Sequence, residues 1–267
     1  MCPHCRAFIT TSDSKCPYCG ERVGPKAIEL RNAGEMIAGL IPQARYVTTL
    51  LLIINGGLYL ACSTFPGGAT NPYVLYAFGA KLSQAVFQEH QWWRLITAGF
   101  LHGGLTHILM NGWVLLDLGA QVEIIYGPAR LIVLYVLTSA AGFLLSCWWS
   151  PALSIGASAA LFGFIGAMIA LGVRHRNPMG DAIRGMYVRW ALYTLVLGFL
   201  ISRIDNAAHI GGLAAGFCVA YVAETPRVTG SGETLWRVAA WSCILITLVC
   251  FLKMWLWYSQ IPNIMDL

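Results

Sequence analysis

Ser158 and His209, in two separate apolar stretches, are the residues in this sequence best suited to do chemistry together. A serine hydroxyl is a weak nucleophile, and an imidazole within reach activates it by taking its proton. His107 and Asn111 stand four residues apart in a third apolar stretch, so on a helix they share one face. Both can donate hydrogen bonds, and acyl transfer needs such donors for its developing oxyanion. The backbone N–H of Ser158, at a helix N-terminus, would add one more donor with a favourable dipole. Singly, these residues say little. A serine among Ala and Gly is usually a packing residue, and one intramembrane histidine is usually a satisfied core group or a proton relay. A metal site from His102, His107 and His209 is a competing reading, but no carboxylate or cysteine completes it. Asp205, one turn before His209, reads as a loop residue beside Arg203, so the expected unit is a dyad and not a triad.

These residues need a scaffold, and composition says which kind. Of 267 residues 57% are hydrophobic and 11% charged, against about 25% charged in a soluble domain. The expectation is a polytopic membrane protein. Seven stretches are apolar and long enough to span, near 46–62, 105–121, 130–149, 156–173, 187–203, 206–223 and 236–258. The second, fourth and sixth are rich in Gly, Ala and polar residues, as helices buried inside a bundle should be. With the N-terminus inside, thirteen Lys and Arg fall in inner segments and only Lys81, Arg94, Arg203 and Lys253 in outer ones. The positive-inside rule then puts the N-terminus in the cytoplasm and the C-terminus outside. The net charge of +5 reads as this orientation bias, not as a nucleic-acid footprint. Met1-Cys2-Pro3-His4-Cys5 lacks the pattern of a cleaved signal, so the first span is expected to insert uncleaved.

In that topology spans two, four and six all run inward. His107, Asn111, Ser158 and His209 then share one depth near the outer face, with Ser158 and His209 ~5 Å inside their helix ends at ~1.5 Å rise per residue. The outer loop, roughly 63–104, carries Phe78, Val86, Phe87, Trp92 and Trp93. It either lies in the outer leaflet or packs on the bundle. Trp236, Trp241, Trp255, Trp257 and Tyr258 read as interfacial anchors of the seventh span. A transporter using the histidines as a proton path is disfavoured, because Asp117 is the only acidic residue deep in a span and has no evident partner.

The N-terminus has its own chemistry. Cys2-Pro3-His4-Cys5 and Cys16-Pro17-Tyr18-Cys19-Gly20 are two C-P-x-C knuckles. Four thiolates at this spacing can close a tetrahedron around a structural Zn²⁺, and a reducing cytoplasm disfavours disulfides. Metal binding would supply the folding energy of so small a domain. Gly20 suits the positive-φ position after a knuckle, and His4 is a spectator. The domains read as a zinc ribbon over 1–22, a linker over 23–45, a six-span core over 46–224 and an additional C-terminal span over 225–267.

Several runs resemble motifs of the rhomboid family of intramembrane serine proteases. Gly156-Ala157-Ser158-Ala159 resembles its G-x-S-G nucleophile motif, and Ala208-His209-Ile210-Gly211-Gly212 through Gly216 resembles A-H-x-x-G-x-x-x-G. The run from His102 to Asn111 resembles the oxyanion segment, Trp93-Arg94 matches the loop W-R pair, and Glu123, Gly127 and Arg130 fit the run after span two. The resemblance covers roughly 46–224 and departs at Ala159, where the family usually has Gly. It implies an all-α membrane bundle of six spans plus one. It also implies Ser158 as nucleophile, His209 as base, an oxyanion site of His107, Asn111 and the Ser158 N–H, Phe162 packed on the His209 ring, and Gly212 bringing span six close to span four. The implied substrates are single-span membrane proteins cut near the outer face, after a small residue. No catalytic cofactor is implied. The expected location is a bacterial inner membrane, with a cytoplasmic protein as a candidate partner of the ribbon. The rival reading is a non-catalytic rhomboid-like protein that binds or routes membrane clients.

Overall fold

The computed structural model describes residues 5, 15–20, 45–201, 204–223, 225 and 231–260. Cys2, Arg203 and all of the expected linker except Arg45 lie outside them. The chain divides into two compact units, Met1–Pro42 and Gln43–Leu267.

Among the described residues of the larger unit the regular structure is helical, apart from one isolated β-bridge between Lys81 and Ser154. Helix α1 is Tyr46–Ser63. A loop with three short helices follows, α2 Pro72–Ala77, α3 Ser83–Phe87 and α4 Arg94–Thr97. Helix α5, Leu105–Val114, continues through a π-turn at Leu115–Gly119 into α6, Ala120–Trp149. Then come α7 Ser158–Arg174, α8 Pro178–Leu200, α9 Asn206–Ala223 and α10 Ser231–Tyr258. Gly127, at φ +79, breaks the run from Leu105 to Trp149 into two spans. Pro128 follows it and has no N–H to leave unpaired at the break.

The described residues of the seven expected stretches are mostly helical, with Gly156 and Ala157 before α7 and Ile201 after α8 as exceptions. Four helical runs, Tyr46–Ser63, the broken Leu105–Trp149, Asn206–Ala223 and Gly232–Tyr258, are long and apolar enough to cross a membrane. Helix α7 is apolar but has only 17 residues. Helix α8 starts at Pro178, well before the expected 187, and ends at Leu200. Its start is set by Asn177, whose side chain accepts the Gly180 N–H at 2.8 Å, and by Pro178 in the first turn. Asp181, Arg184 and Arg189 hide this polar first half from a reading of hydropathy. Leu60, Leu109, Trp113, Leu197, Leu245 and Leu252 are exposed on four helices, α1, α5, α8 and α10. That apolar exterior, over an interior that mixes large apolar side chains with small and polar ones, is what a bundle in lipid requires.

Several polar groups pair within or across the helices. Glu123 accepts the N–H groups of Val47 and Thr48 at 3.0 and 2.9 Å and the Thr48 hydroxyl at 2.8 Å, so it caps α1 from α6. Asp117 has a partner after all: Gln121, one turn on, donates to it at 3.1 Å. Arg130 makes a bidentate pair with Glu233 at 2.7 and 2.8 Å, which ties α10 to α6. At the other end of α10, Trp257 packs edge-on against Tyr76 at 5.4 Å and lies 4.7 Å from the Arg94 guanidinium. Trp257 is thus a packing residue and not the lipid anchor expected of it. Trp255, 60% exposed, is free to serve as one.

The loop between α1 and α5 packs on the bundle. Val86 is fully buried with Leu95, Phe143, Cys147 and Ala208. Arg94 is fully buried as well and donates to the Tyr76 and Ala80 carbonyls at 2.7 and 2.9 Å.

Glycine brings the central helices together. A Cβ on Gly212 would lie 2.0 Å from the Ala159 carbonyl oxygen, and one on Gly216 would lie 2.0 Å from that of Gly163. Both obstacles are backbone and cannot rotate away. Gly212→Ala is therefore expected to cost about 1–3 kcal/mol through overpacking, read as a lowered thermal midpoint in detergent. Gly56→Ala is the control, since nothing lies within 4 Å of a Cβ there. Equal midpoints for the two variants would refute the close approach.

Candidate active site

Ser158 is the first residue of α7, not one buried a few ångström inside it as expected. Gly156 decides this. Its φ of +126 is a conformation that residues with a side chain rarely adopt, so the chain turns sharply and the helix starts only after it. At that first position the Ser158 N–H has no intrahelical acceptor and faces outward with the helix dipole behind it. His209 is the fourth residue of α9. Its Nε2 lies 2.9 Å from the Ser158 Oγ. The His209 ring stacks on Phe162, one turn after Ser158, with centroids 4.1 Å apart and planes at 12°.

Among the described residues the His209 Nδ1 has no hydrogen-bond partner. Asp205 does not orient it. One Asp205 oxygen accepts the Ala208 N–H at 3.0 Å, and the other accepts the Ser146 hydroxyl. Asp205 is the N-cap of α9. An Asp followed three residues later by the N–H it binds is a signal that the sequence displays, although it reads there as a mere loop residue. The ring of His209 is held by stacking and by its helix, not by a third polar member.

His107 and Asn111, on α5, converge on Gly156, two residues before Ser158. A methyl on Gly156 would lie 2.7 Å from the His107 Nε2 and 3.5 Å from the Asn111 Nδ2. His107 Nδ1 accepts the Gly103 N–H at 3.3 Å, so in the neutral ring the proton is on Nε2, which faces Gly156 as a donor. The Asn111 Nδ2 is buried with no acceptor among the described residues. An unpaired buried donor is costly, and one placed beside Gly156 suits a group kept free for an incoming acceptor.

His102 is buried against His107, with ring centroids 5.1 Å apart, and neither ring nitrogen makes a close hydrogen bond among the described residues. The histidines do not gather as metal ligands. Among the described residues the only such group is Cys5, Cys16 and Cys19, whose sulfurs lie within 4.8 Å of one another, Cys5 and Cys16 at 3.6 Å. On tetrahedral zinc at about 2.3 Å per bond, sulfurs sit about 3.8 Å apart, so the three thiols fit that ion. Gly20 has φ +71 and its N–H bonds to the Cys16 carbonyl at 2.9 Å, closing the turn around the second knuckle.

The Ala159 methyl points away from the site. It is fully buried among Val86, Leu95, Ala98 and Phe143. Gly142 on α6 makes room for it, since a Cβ there would lie 3.0 Å from the Ala159 Cβ and 2.5 Å from the Ala208 carbonyl oxygen.

Comparison with known proteins agrees with this architecture. The rhomboid domain matches residues 89–225, just over half of the chain and all of the site. The chain belongs to the rhomboid family. It is 37% identical over 169 residues to the rhomboid protease GluP of Bacillus subtilis (strain 168), covering 63% of this chain and 33% of that protein. RHOMBOID-like protein 5 of Arabidopsis thaliana is 35% identical over 146 residues, 53% of this chain and 47% of the relative. Inactive RHOMBOID-like protein 8, also of Arabidopsis thaliana, is 34% identical over 132 residues, 48% and 37% respectively. The chain thus spans a third to a half of the length of these relatives, and it is an integral membrane protein of their family.

Proposed function

We propose that this chain is an intramembrane serine endopeptidase, and the 2.9 Å approach of the His209 Nε2 to the Ser158 Oγ carries the reading. Ser158 Oγ attacks the carbonyl carbon of a substrate peptide bond while His209 Nε2 takes its proton. The carbonyl oxygen becomes an oxyanion, held by the Asn111 Nδ2, the His107 Nε2–H and the Ser158 N–H. His209 then returns the proton to the leaving amine as the C–N bond breaks. Water, deprotonated by the same imidazole, releases the acyl group and restores Ser158. Phe162 keeps the imidazole plane in place through both steps.

The substrates are single-span membrane proteins that unwind near the outer face of a bacterial inner membrane. The N-terminus lies in the cytoplasm and the C-terminus outside, following the thirteen-to-four division of Lys and Arg. The catalytic core is 46–224, and 225–267 adds a span. The deciding experiment incubates the purified chain with a transmembrane substrate beside Ser158→Ala. Cleavage by the parent alone supports the reading. Client binding without cleavage by either would favour a non-catalytic role.

Cys5, Cys16 and Cys19, with Cys2 from the first knuckle of the sequence as fourth ligand, would hold a structural zinc, and the ribbon folded around it would dock a cytoplasmic partner. Replacing all four by Ser is expected to remove about one zinc per chain by elemental analysis while cleavage in detergent persists. A variant that inserts and folds but cuts nothing would show that the ribbon belongs to the catalytic machinery.

A further inference from the structure

Lys81 takes no part in the chemistry above, yet it is fully buried. Burying an ammonium costs several kcal/mol unless every proton finds an acceptor. Here each does. The Nζ donates to the carbonyls of Ser146 at 3.3 Å, Ser150 at 2.9 Å and Ala152 at 3.1 Å. The first is in the last turn of α6, where a cation is favoured by the dipole, and the others are on the segment leading to Ser158. The Lys81 backbone grips the same segment: its N–H bonds to the Ser154 carbonyl at 3.0 Å and its carbonyl accepts the Ser154 N–H at 2.9 Å. Ser83 adds a bond to the Ser150 carbonyl at 2.7 Å, and the Gly156 N–H bonds to Ala98 at 2.9 Å.

Ser146 extends this grip to the other half of the dyad. Its carbonyl takes Lys81, while its hydroxyl donates to Asp205, the cap of the helix that carries His209. Lys81 therefore touches both supports: the loop that ends in Ser158 and the residue that anchors the start of α9. Burial lowers the Lys81 pKa, and Cys147 and Asp205 act to raise it. No carboxylate is within bonding distance of the Nζ among the described residues, so its acceptors are all carbonyls.

We propose that Lys81 is a positioning residue that sets the separation of Ser158 and His209 by clamping the α6–α7 loop to the turn of α6 that anchors α9. The inference rests on the protease reading. A misplacement of about 1 Å can cost ~10²-fold in rate. Lys81→Met, which keeps the backbone pair and the volume but loses three bonds, is expected to lower kcat about tenfold or more with KM within about threefold. Labelling of Ser158 by a fluorophosphonate, which bypasses substrate docking, should slow in parallel. Lys81→Gln, with two N–H donors left, should recover part of that loss. Ser83→Ala is the mild variant, too small a change to unfold the bundle, and should lower kcat by about two- to fivefold at unchanged thermal midpoint. Unchanged kcat and labelling in Lys81→Met and Ser83→Ala would overturn the proposal, as would a rise in KM at constant kcat. A parent chain that cleaves normally beside unaffected variants sinks this inference alone. A parent that neither cleaves nor labels at Ser158 sinks the protease reading and the inference with it.

Discussion

Ser158→Ala and His209→Ala are each expected to remove nearly all cleavage, and the double variant is expected to lose little more. The 2.9 Å contact between the Oγ and Nε2 makes the two side chains one unit. A serine without its base is a neutral alcohol, and an imidazole without its serine has nothing to activate. Groups that act together in this way give grossly non-additive losses, of order 10⁴–10⁶ in turnover in other serine hydrolases. Rates of a single transmembrane substrate in detergent, measured for the parent, both single variants and the double, decide the matter. Losses that multiply would mean that only one of the two belongs to the chemistry. His209→Ala also strips the stacking partner from Phe162, so its folded fraction must be measured alongside.

Asn111→Ala should give the second largest effect, a fall in turnover of about 10²–10³, the cost of one oxyanion donor or ~3–4 kcal/mol. Its signature separates it from a structural lesion. The Nδ2 is buried and has no acceptor among the described residues, so the resting protein loses no bond from that nitrogen when it is removed. Thermal stability should therefore hold or rise slightly, since an unsatisfied buried donor is a cost that the variant relieves. KM should barely move, because the donor engages an oxygen only as charge develops on it. A raised KM at unchanged turnover would place Asn111 in substrate binding instead. His107 is a less clean test, because its ring also accepts from Gly103 and packs on His102.

Much of the fold was legible because lipid is an unforgiving solvent. A span needs about twenty apolar residues, and each such stretch in this sequence is mostly helix over its described residues. Misreadings fell where polarity had a structural purpose. The first half of α8 carries Asp181, Arg184 and Arg189, so hydropathy put its start too late, while the Asn177-Pro178 cap marks it correctly. Asp117 looked unpartnered, although Gln121 is one turn away. Trp257 looked like a lipid anchor, because a sequence cannot show that Tyr76 and Arg94 will be there to receive it.

By itself the sequence determined an all-helical membrane protein, the order of its apolar stretches, the polar residues Ser158, His209, His107 and Asn111 that they carry, and the C-P-x-C spacings. All of these follow from local composition and spacing. Separations between helices do not. They depend on Gly212 and Gly216 letting α9 press on the backbone of α7, and on Gly142 admitting the Ala159 methyl. Only the tertiary structure decided that Asp205 caps a helix, that Gly156 turns the chain so that Ser158 opens its helix, and that the Lys81 ammonium bonds the loop before it. The physical reason is that a hydrogen bond forms over about 3 Å, and its partners here come from residues 50 to 70 apart in the chain, brought together by backbone contacts that no run of sequence contains.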